Sequence, residues 1–476
     1  MDKTDLTQSD LFAFSSPAPF GFGMHPELAK STKKSREDLD RHLSKKNFDE
    51  AYQIMMGREI SLAELADPRH PEVFIIPRDR SLSVVDEFRD HIGFERTNFP
   101  FSSTDFYAEL DEHEGTLFYE LSHSPAWFRL NGISQLGYLV PPRPEDWNKD
   151  IEISYLAPTF PHTRGLHSLL TAILMELILA RNGFSFSERA PAVLTAGYHD
   201  VATPAGGDSI KRVDPRGLDE EENFSWVLRY YGLPERWAKF GFDLALAQEW
   251  VKNRGMFGRL LDVIDKLCYA AIDCYHVGWE RPGLIRDFCL KHPLVMDVWQ
   301  DIRFTPDKTC FGFIDPERLF NFLMLRAYEF HELLYNPYSR AMDLFLKKLT
   351  VPLYKKGIIT KEQLLTCDNF WLETTLSRYY PDKIKAVIDP EKLAWKRFAD
   401  RREWKEFQNV CLKDGNLDHA DQLRRFNTGL DWPIFSGKGN PGLIPLRETL
   451  KKEQIGLLEE IACAREGYYV YYRPEK

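Results

Sequence analysis

Three stretches of this chain carry the residue types that hold a divalent metal. The first reads H-T-R-G-L-H-S from His162 to Ser168. The second is Y-H-D, Tyr198 to Asp200, and the third is L-D-V-I-D-K-L-C-Y-A-A-I-D-C-Y-H-V-G, Leu261 to Gly278. Neutral imidazoles and carboxylates suit a borderline ion, and a His-plus-Asp set favours Zn, Mn, Fe or Ni over Ca. The expectation is one metal centre built from His167, His199, Asp200 and Asp265. Each residue alone is ordinary: a lone histidine at a helix start is more often a hydrogen-bonded structural residue. Asp262, one turn before Asp265, offers the same chemistry and competes for that place.

These residues need helices to hold them. Helix-period patterns dominate from His162 to about Leu349, including the stretches around Glu249, Phe257 to Tyr275 and Leu319 to Leu346. Strand-like alternation is scarce there, so the centre reads as all-α. Upstream, S-P-A-W-F-R-L-N-G-I-S-Q-L-G puts Pro125 at a helix start, with Trp127, Leu130, Ile133 or Ser134, and Gly137 at helical spacing. The expected division is an N-terminal arm and irregular or helical region over 1–115, a helical core over 116–350, and a small α+β accessory region over 351–476. Residues 1–30, rich in Ser, Pro, Phe and Gly, read as an extended arm; a charged helix follows from about Ser35 to Met56, and Val73 to Ile76 reads as a short strand. A proline-rich loop, P-P-R-P-E-D-W, and I-E-I-S-Y-L lead into His162. In the last region the charged run from Glu391 to Glu406 reads as a solvated helix face, F-S-G-K-G-N-P-G-L-I-P as a loop, and the terminal G-Y-Y-V-Y-Y-R as a strand.

Composition narrows the class. Hydrophobic residues at 43% and charged residues at 28% describe a globular protein with ample core material. With 62 basic and 72 acidic residues the net charge is −10, which carries no general nucleic-acid signal. The seven cysteines include no C-x-x-C pair, a pattern that suits reduced thiols in the cytoplasm. No apolar leader opens the chain, and the most apolar stretch, Leu169 to Ala180, contains Glu176 and is too short to span a bilayer. A cytoplasmic protein without a membrane partner is expected.

Order and context sharpen the metal reading. The sequence H…HD…D resembles the HD superfamily of metal-dependent phosphohydrolases. Within it, W-F-R-L-N-G-I-S-Q-L-G is similar to F-Q-R-L-x-x-I-x-Q-L-G of the deoxynucleoside triphosphate triphosphohydrolases. H-T-R-G-L-H-S is similar to their H-N-R-x-x-H-S, and D-K-L-C-Y-A-A-I-D-C-Y-H-V-G to D-K-x-x-Y-x-x-x-D-C-x-H-x-G. The resemblance covers Ser124 to Gly278 and implies an HD-domain helical core with His167, His199, Asp200 and Asp265 as ligands of one divalent metal (Mn, Fe, Zn, Ni or Mg). The D-K-x-x-Y register selects Asp265 over Asp262. It further implies Gln135 and Leu136 beside the nucleoside, Arg164 and Lys266 on phosphates, and Tyr269 and Asp273 facing the sugar. A looser match, L-R-A-Y-E-F-H-E-L-L-Y-N-P, adds Arg326 and Tyr335 as substrate contacts. A regulatory nucleotide and homo-oligomer formation come by analogy with relatives.

The chain also departs from that family. After His-Asp the relatives read H-D-x-G-H-x-P-F-x-H, whereas here H-D-V-A-T-P-A-G-G-D-S places Thr203 and Asp208 where histidines stand. The next family histidine is replaced within D-E-E-E-N-F, where Glu222 before Asn223 is the expected substitute. Thr203, Asp208 and Glu222 are therefore the candidate catalytic residues, a buried carboxyl being able to serve as acid or base. Gly206-Gly207 reads first as a turn and second as an anion cradle. The expected function is hydrolysis of a deoxynucleotide, foremost dNTP to deoxynucleoside plus triphosphate. The alternatives are a nucleoside monophosphate phosphatase or phosphodiesterase on the same residues, and a non-catalytic nucleotide sensor.

Overall fold

The structure is a computed structural model that describes residues 117–139, 162–274, 285, 288, 292, 295–381, 394–413, 417–436 and 442–472. The arm, helix and strand expected within 1–115, the proline-rich loop, I-E-I-S-Y-L and His276 to Gly278 lie outside these residues. What is described is mostly helical, with small sheets towards the C-terminal end.

Two short helices lead in, α1 (Leu117–Ser122) and α2 (Pro125–Asn131). The Ser124 hydroxyl caps α2 by accepting from Trp127 N at 3.0 Å, and Pro125 takes a first-turn position where its missing N–H costs nothing. The longer helix expected to reach Gly137 does not form. Asn131-Gly132 stops it, with Gly132 N bonding back to Arg129 O at 2.9 Å. The chain then runs beside the 162–164 segment, joined by Gln135 N to His162 O at 3.1 Å and Arg164 N to Ile133 O at 2.8 Å. Two of the sequence motifs are thereby hydrogen-bonded to each other.

Helix α3 (Arg164–Arg181) is capped by Thr163, whose Oγ1 accepts from Leu166 N at 3.2 Å. It is buried on nearly every side, as an apolar helix without a polar face must be. α4 (Phe186–Tyr198) starts at Ser185, whose N–H donates to Glu188 Oε2 at 2.6 Å, and packs on α3. Gly197 permits that packing: a Cβ there would stand 2.3 Å from Leu121 Cδ2 and 3.3 Å from Ala172 Cβ. Next come α5 (Asp208–Lys211), α6 (Glu220–Tyr230), α7 (Leu233–Trp237), α8 (Leu244–Val251) and α9 (Gly255–Cys274), the last packing on α3 and α8. Then follow α10 (Pro316–Glu329), a π-helical turn over Phe330–Leu334, α11 (Pro337–Lys355), α12 (Lys361–Thr366) and α13 (Asn369–Tyr379).

The expected all-α centre is interrupted by β1 (Ile302–Phe304) and β2 (Phe311–Phe313), an antiparallel pair. They belong to a four-stranded sheet, order β1-β2-β5-β6, completed by β5 (Pro433–Phe435) and β6 (Leu443–Pro445). β2 pairs in parallel with β5 through Phe313 and Ile434, so this sheet joins residues from both sides of position 350. The loop expected over F-S-G-K-G-N-P-G-L-I-P holds the ends of β5 and β6. The charged run expected as a solvated helix is instead divided. Ala394–Phe398 is a strand, β3, and helix α14 (Arg401–Lys413) begins only afterwards. β3 and β4 (Leu417–Leu423) flank the terminal strand β7 (Gly467–Tyr472), antiparallel to both. β7 alternates: Tyr469 and Tyr471 pack with Leu344 and Leu423, and Val470 with Phe398 and Cys411. Helix α15 (Lys452–Ala464) packs against α10. No described helix is long and apolar enough to cross a membrane.

Candidate metal centre

His167 lies one turn into α3 and is fully buried; His199 and Asp200 follow the last residue of α4; Asp265 is at mid-length in α9. Tyr198 fixes the end of α4, its buried hydroxyl 2.8 Å from Leu121 O and 3.0 Å from Glu120 O. Three side chains converge. His167 Nε2 stands 3.0 Å from Asp265 Oδ1 and 3.3 Å from His199 Nε2, and His199 Nε2 is 3.3 Å from the same Asp265 oxygen. Two donors each about 2.1 Å from one ion are about 3.0 Å apart at a right angle and about 3.4 Å apart at a tetrahedral one, so the observed triangle fits a transition-type divalent metal. His199 Nδ1 lies 2.7 Å from the Ala196 carbonyl, which can only accept; a proton therefore sits on Nδ1, and it is Nε2 that would offer its lone pair to a metal on losing its own proton. His167, His199 and Asp265 are thus a group that could hold a metal.

Asp200 adjoins the triangle without closing it. Its carboxylate is 3.7 Å from His167 Nε2 and 3.6 Å from His199 Nε2, and its Oδ2 accepts from Arg164 Nη1 at 2.6 Å. Asp265 is a third exposed while His167 is sealed, so the group opens on the Asp265 side. The charges are strongly interdependent. Burial works against the His199 imidazolium, yet Asp200 and Asp265 together push its pKa up to about 9. Burial likewise opposes the Asp200 carboxylate, but Arg164, then His199 and His167, hold it down at about 2. Asp265 is held well below the usual carboxylate range against the effect of its burial, by hydrogen bonds from both histidines. Two carboxylates, one buried and one a third exposed, around two imidazoles make a place that favours positive charge.

From Asp200 a polar chain runs outward. Arg164 also donates from Nη2 to Asp208 Oδ2 at 2.8 Å; Lys211 Nζ meets Asp208 Oδ1 at 2.8 Å and also pairs with Glu220. Thr203, fully buried, donates its hydroxyl to Glu220 Oε1 at 2.6 Å. Glu220 is raised above the usual carboxyl range by burial and by repulsion from Asp200 and Asp208, against Lys211 and Arg164. The expected Glu222 does not reach this network. It is exposed, and its carboxylate pairs with Lys252 at 2.8 Å. The acid that comes in is Glu220, first residue of α6 after the Asp219 cap.

Lys266 is likewise turned away, its Nζ donating to Asp262 Oδ1 and, at 3.1 Å, to the Asp262 carbonyl on its own helix. That pairing occupies Asp262 as well. Tyr269 and Asp273 share the Asp265 face of α9, one and two turns on, or about 6 and 12 Å along the axis. The Tyr269 hydroxyl accepts from Arg326 Nε, and Arg326 Nη1 donates to Asn427 O at 2.6 Å. Asp273 Oδ1 is 2.7 Å from His162 Nε2, and buried Glu329 lies beside it, its pKa raised well up by burial and by Asp273. Gln135 and Leu136 are buried next to His162, and Gln135 Oε1 has no partner among the described residues. Tyr335 packs edge-on to Phe330 at 5.2 Å, the ring that also lies against the Arg326 guanidinium. Both amides of the glycine pair are used internally: Gly206 N donates to Asn369 Oδ1 at 2.7 Å and Gly207 N to Pro204 O at 2.8 Å. With φ of 90° and 65° the pair makes a turn.

One residue the motifs left unassigned ties the His-Asp turn to the fold. Arg129 of α2, buried, donates to the carbonyls of Val201 (2.9 Å), Thr203, Leu364 (3.2 Å) and Cys367 (2.9 Å).

No family model matches the chain, and no curated protein matches it in sequence. Solved structures do resemble it. A hypothetical protein from Aquifex aeolicus superposes with a TM-score of 0.53 at 17% identity, over 75% of this chain and 92% of its own. A phosphohydrolase from Bacteroides thetaiotaomicron gives 0.55 at 16% identity, over 76% of this chain and 96% of its own. At such identities the common property is the fold, which this chain shares with the protein described as a phosphohydrolase.

Proposed function

We propose that the chain is a metal-dependent phosphohydrolase acting on nucleotides, with a deoxynucleoside triphosphate as substrate and deoxynucleoside plus triphosphate as products. The observation that carries this reading is the convergence of His167 Nε2, His199 Nε2 and Asp265 Oδ1 within 3.3 Å, with Asp200 alongside. These four residues would hold the ion, which when bound supplies a water of lowered pKa and polarises a phosphoryl oxygen. Arg164 would present its guanidinium to the phosphates from between Asp200 and Asp208. The α-phosphorus takes up water, its bond to the 5′-oxygen breaks, and that oxygen must receive a proton. Glu220, biased towards its protonated form and oriented by Thr203, is the chain's candidate for holding that proton. The Tyr269 ring would crowd a 2′-hydroxyl, and Asp273, steadied by His162, would accept from the 3′-hydroxyl.

One observation favours the second reading, a nucleoside monophosphate phosphatase or phosphodiesterase: Thr203 and Asp208, at positions where the resemblance implies histidines, are joined by the carboxyl of Glu220 in one polar network without a histidine among them. Product analysis over the four dNTPs, dNMPs and cyclic nucleotides with several divalent metals separates the two. Tight nucleotide binding without hydrolysis of any of them would leave only the sensor. A His199→Ala, Asp200→Ala variant should lose metal and activity while staying folded; surviving activity rules out this centre.

A further inference from the structure

The polar chain beside the metal centre alternates in sign: Asp200, Arg164, Asp208, Lys211 and Glu220 follow one another as anion and cation by turns. Two effects oppose each other at its last member. Burial and repulsion from Asp200 and Asp208 bias the Glu220 carboxyl towards its protonated form. Yet both of its oxygens accept, Oε1 from the Thr203 hydroxyl at 2.6 Å and Oε2 from the Lys211 ammonium. An ammonium has donors only, so Oε2 cannot bear a proton while Lys211 stays against it. The charged groups facing Glu220 are Lys211 and Asp208 of α5, Arg164 of α3, Asp200 of the turn after α4 and Arg129 of α2, with Glu221 beside it on α6. Lys211 is the cation in contact with it.

Arg164 is where an anion from outside can join this chain. Its Nε is buried and has no acceptor among the described residues, while Nη1 and Nη2 serve Asp200 and Asp208. Asp208 is the replaceable partner, its side chain 55% exposed against 9% for Asp200. A phosphate that accepts from Nε and Nη2 together displaces Asp208 and leaves the Nη1 contact to Asp200 intact. Asp208 then falls back on Lys211, already 2.8 Å from its other oxygen and three residues on in the same helix. Charge balance along the chain now favours Lys211 on Asp208 and a proton on Glu220.

We propose that Lys211 is a positioning residue that couples phosphate capture at Arg164 to proton loading of Glu220, so that the acid is armed only when substrate is in place. The proposal rests on the phosphohydrolase reading above. Glu220 takes a proton from solvent on binding and passes it to the 5′-oxygen as the bond to the α-phosphorus breaks. The attacking water leaves its hydroxyl on phosphorus and its other proton in solvent, and Glu220, again a carboxylate, regains Lys211. The probe is inorganic tripolyphosphate, titrated calorimetrically into the purified full-length protein near neutral pH. Two buffers of different ionisation enthalpy give the protons taken up per phosphate bound. Wild type should exceed Glu220→Gln by up to about one proton per chain, the phosphate's own proton exchange being common to both. Lys211→Met, whose Glu220 holds its proton beforehand, should match Glu220→Gln, whereas Lys211→Arg and exposed Glu222→Gln should match wild type. In dNTP hydrolysis, Lys211→Met should shift the alkaline limb of the pH–rate profile to higher pH, which a merely structural loss would not do. Uptake in Glu220→Gln equal to that of wild type overturns the coupling, as does undiminished uptake in a folded Lys211→Met protein; either leaves the phosphohydrolase reading standing. A protein that binds no tripolyphosphate overturns both.

Discussion

Replacing Arg129 by methionine tests how the His-Asp turn is held. The guanidinium feeds four carbonyls, and those of Val201, Thr203 and Cys367 have no other donor among the described residues. An orphaned buried carbonyl costs roughly 1–3 kcal/mol, so three of them come to about 6 kcal/mol. Against that, methionine removes a buried cation. Burial pushes the Arg129 pKa down from 12.5 to about 10, a strain worth about 3 kcal/mol that the variant no longer bears. The expected net loss is therefore about 3 kcal/mol, read as a lower urea midpoint with an unchanged slope. Metal affinity should fall with it, because Val201 directly follows Asp200 and Thr203 lies three residues after it. Arg129→Lys should not rescue, since one ammonium cannot span carbonyls on opposite sides of the guanidinium. A methionine variant as stable as wild type, with unchanged metal affinity, would refute the reasoning.

Two further outcomes follow from the same geometry. Glu220→Gln should lower the hydrolysis rate by about 10²–10⁴-fold, the usual worth of a positioned proton donor, whereas exposed Glu222→Gln should leave it near wild type; equal effects in steady-state assays would remove Glu220 from the mechanism. With metal stripped, His199 gives stability that is fully present below its ordinary pKa of 6.5 and lost as pH rises through its folded value of about 9, up to about 3 kcal/mol. Unfolding curves of chelator-treated protein should therefore fall across that window more than those of metal-loaded protein; parallel profiles contradict the assignment.

The metal residues were legible because their chemistry restricts them to a few side-chain types in a set order, and folding brings His167, His199 and Asp265 to one point. Choosing between Asp262 and Asp265 needed a register that spacing alone lacked; in the structure Asp262 is occupied by Lys266. That same contact hid the direction of Lys266. Among Glu220, Glu221 and Glu222, successive residues point about 100° apart, so everything hangs on where α6 begins, and the Asp219 cap decides that locally. β1 and β2 were missed because three-residue strands are too short to show alternation, and one of their partners lies far along the chain. A-W-K-R-F of β3 was masked by its charges: Lys396 and Arg397 are exposed alongside Trp395, no alternation of apolar and polar residues shows, and only pairing with β7 makes it a strand.

That distant partnership bears on how the molecule is made. Phe313 waits for Ile434, so the edge of β2 stays bare while roughly a hundred further residues are synthesised. At about 5–20 residues per second this lasts on the order of ten seconds, during which the helices bearing His167, His199 and Asp265 have already left the ribosome. The metal ligands can therefore gather before the sheet closes, and a nascent chain stalled ahead of β5 would carry a nearly complete centre on a body with an open, adhesive strand.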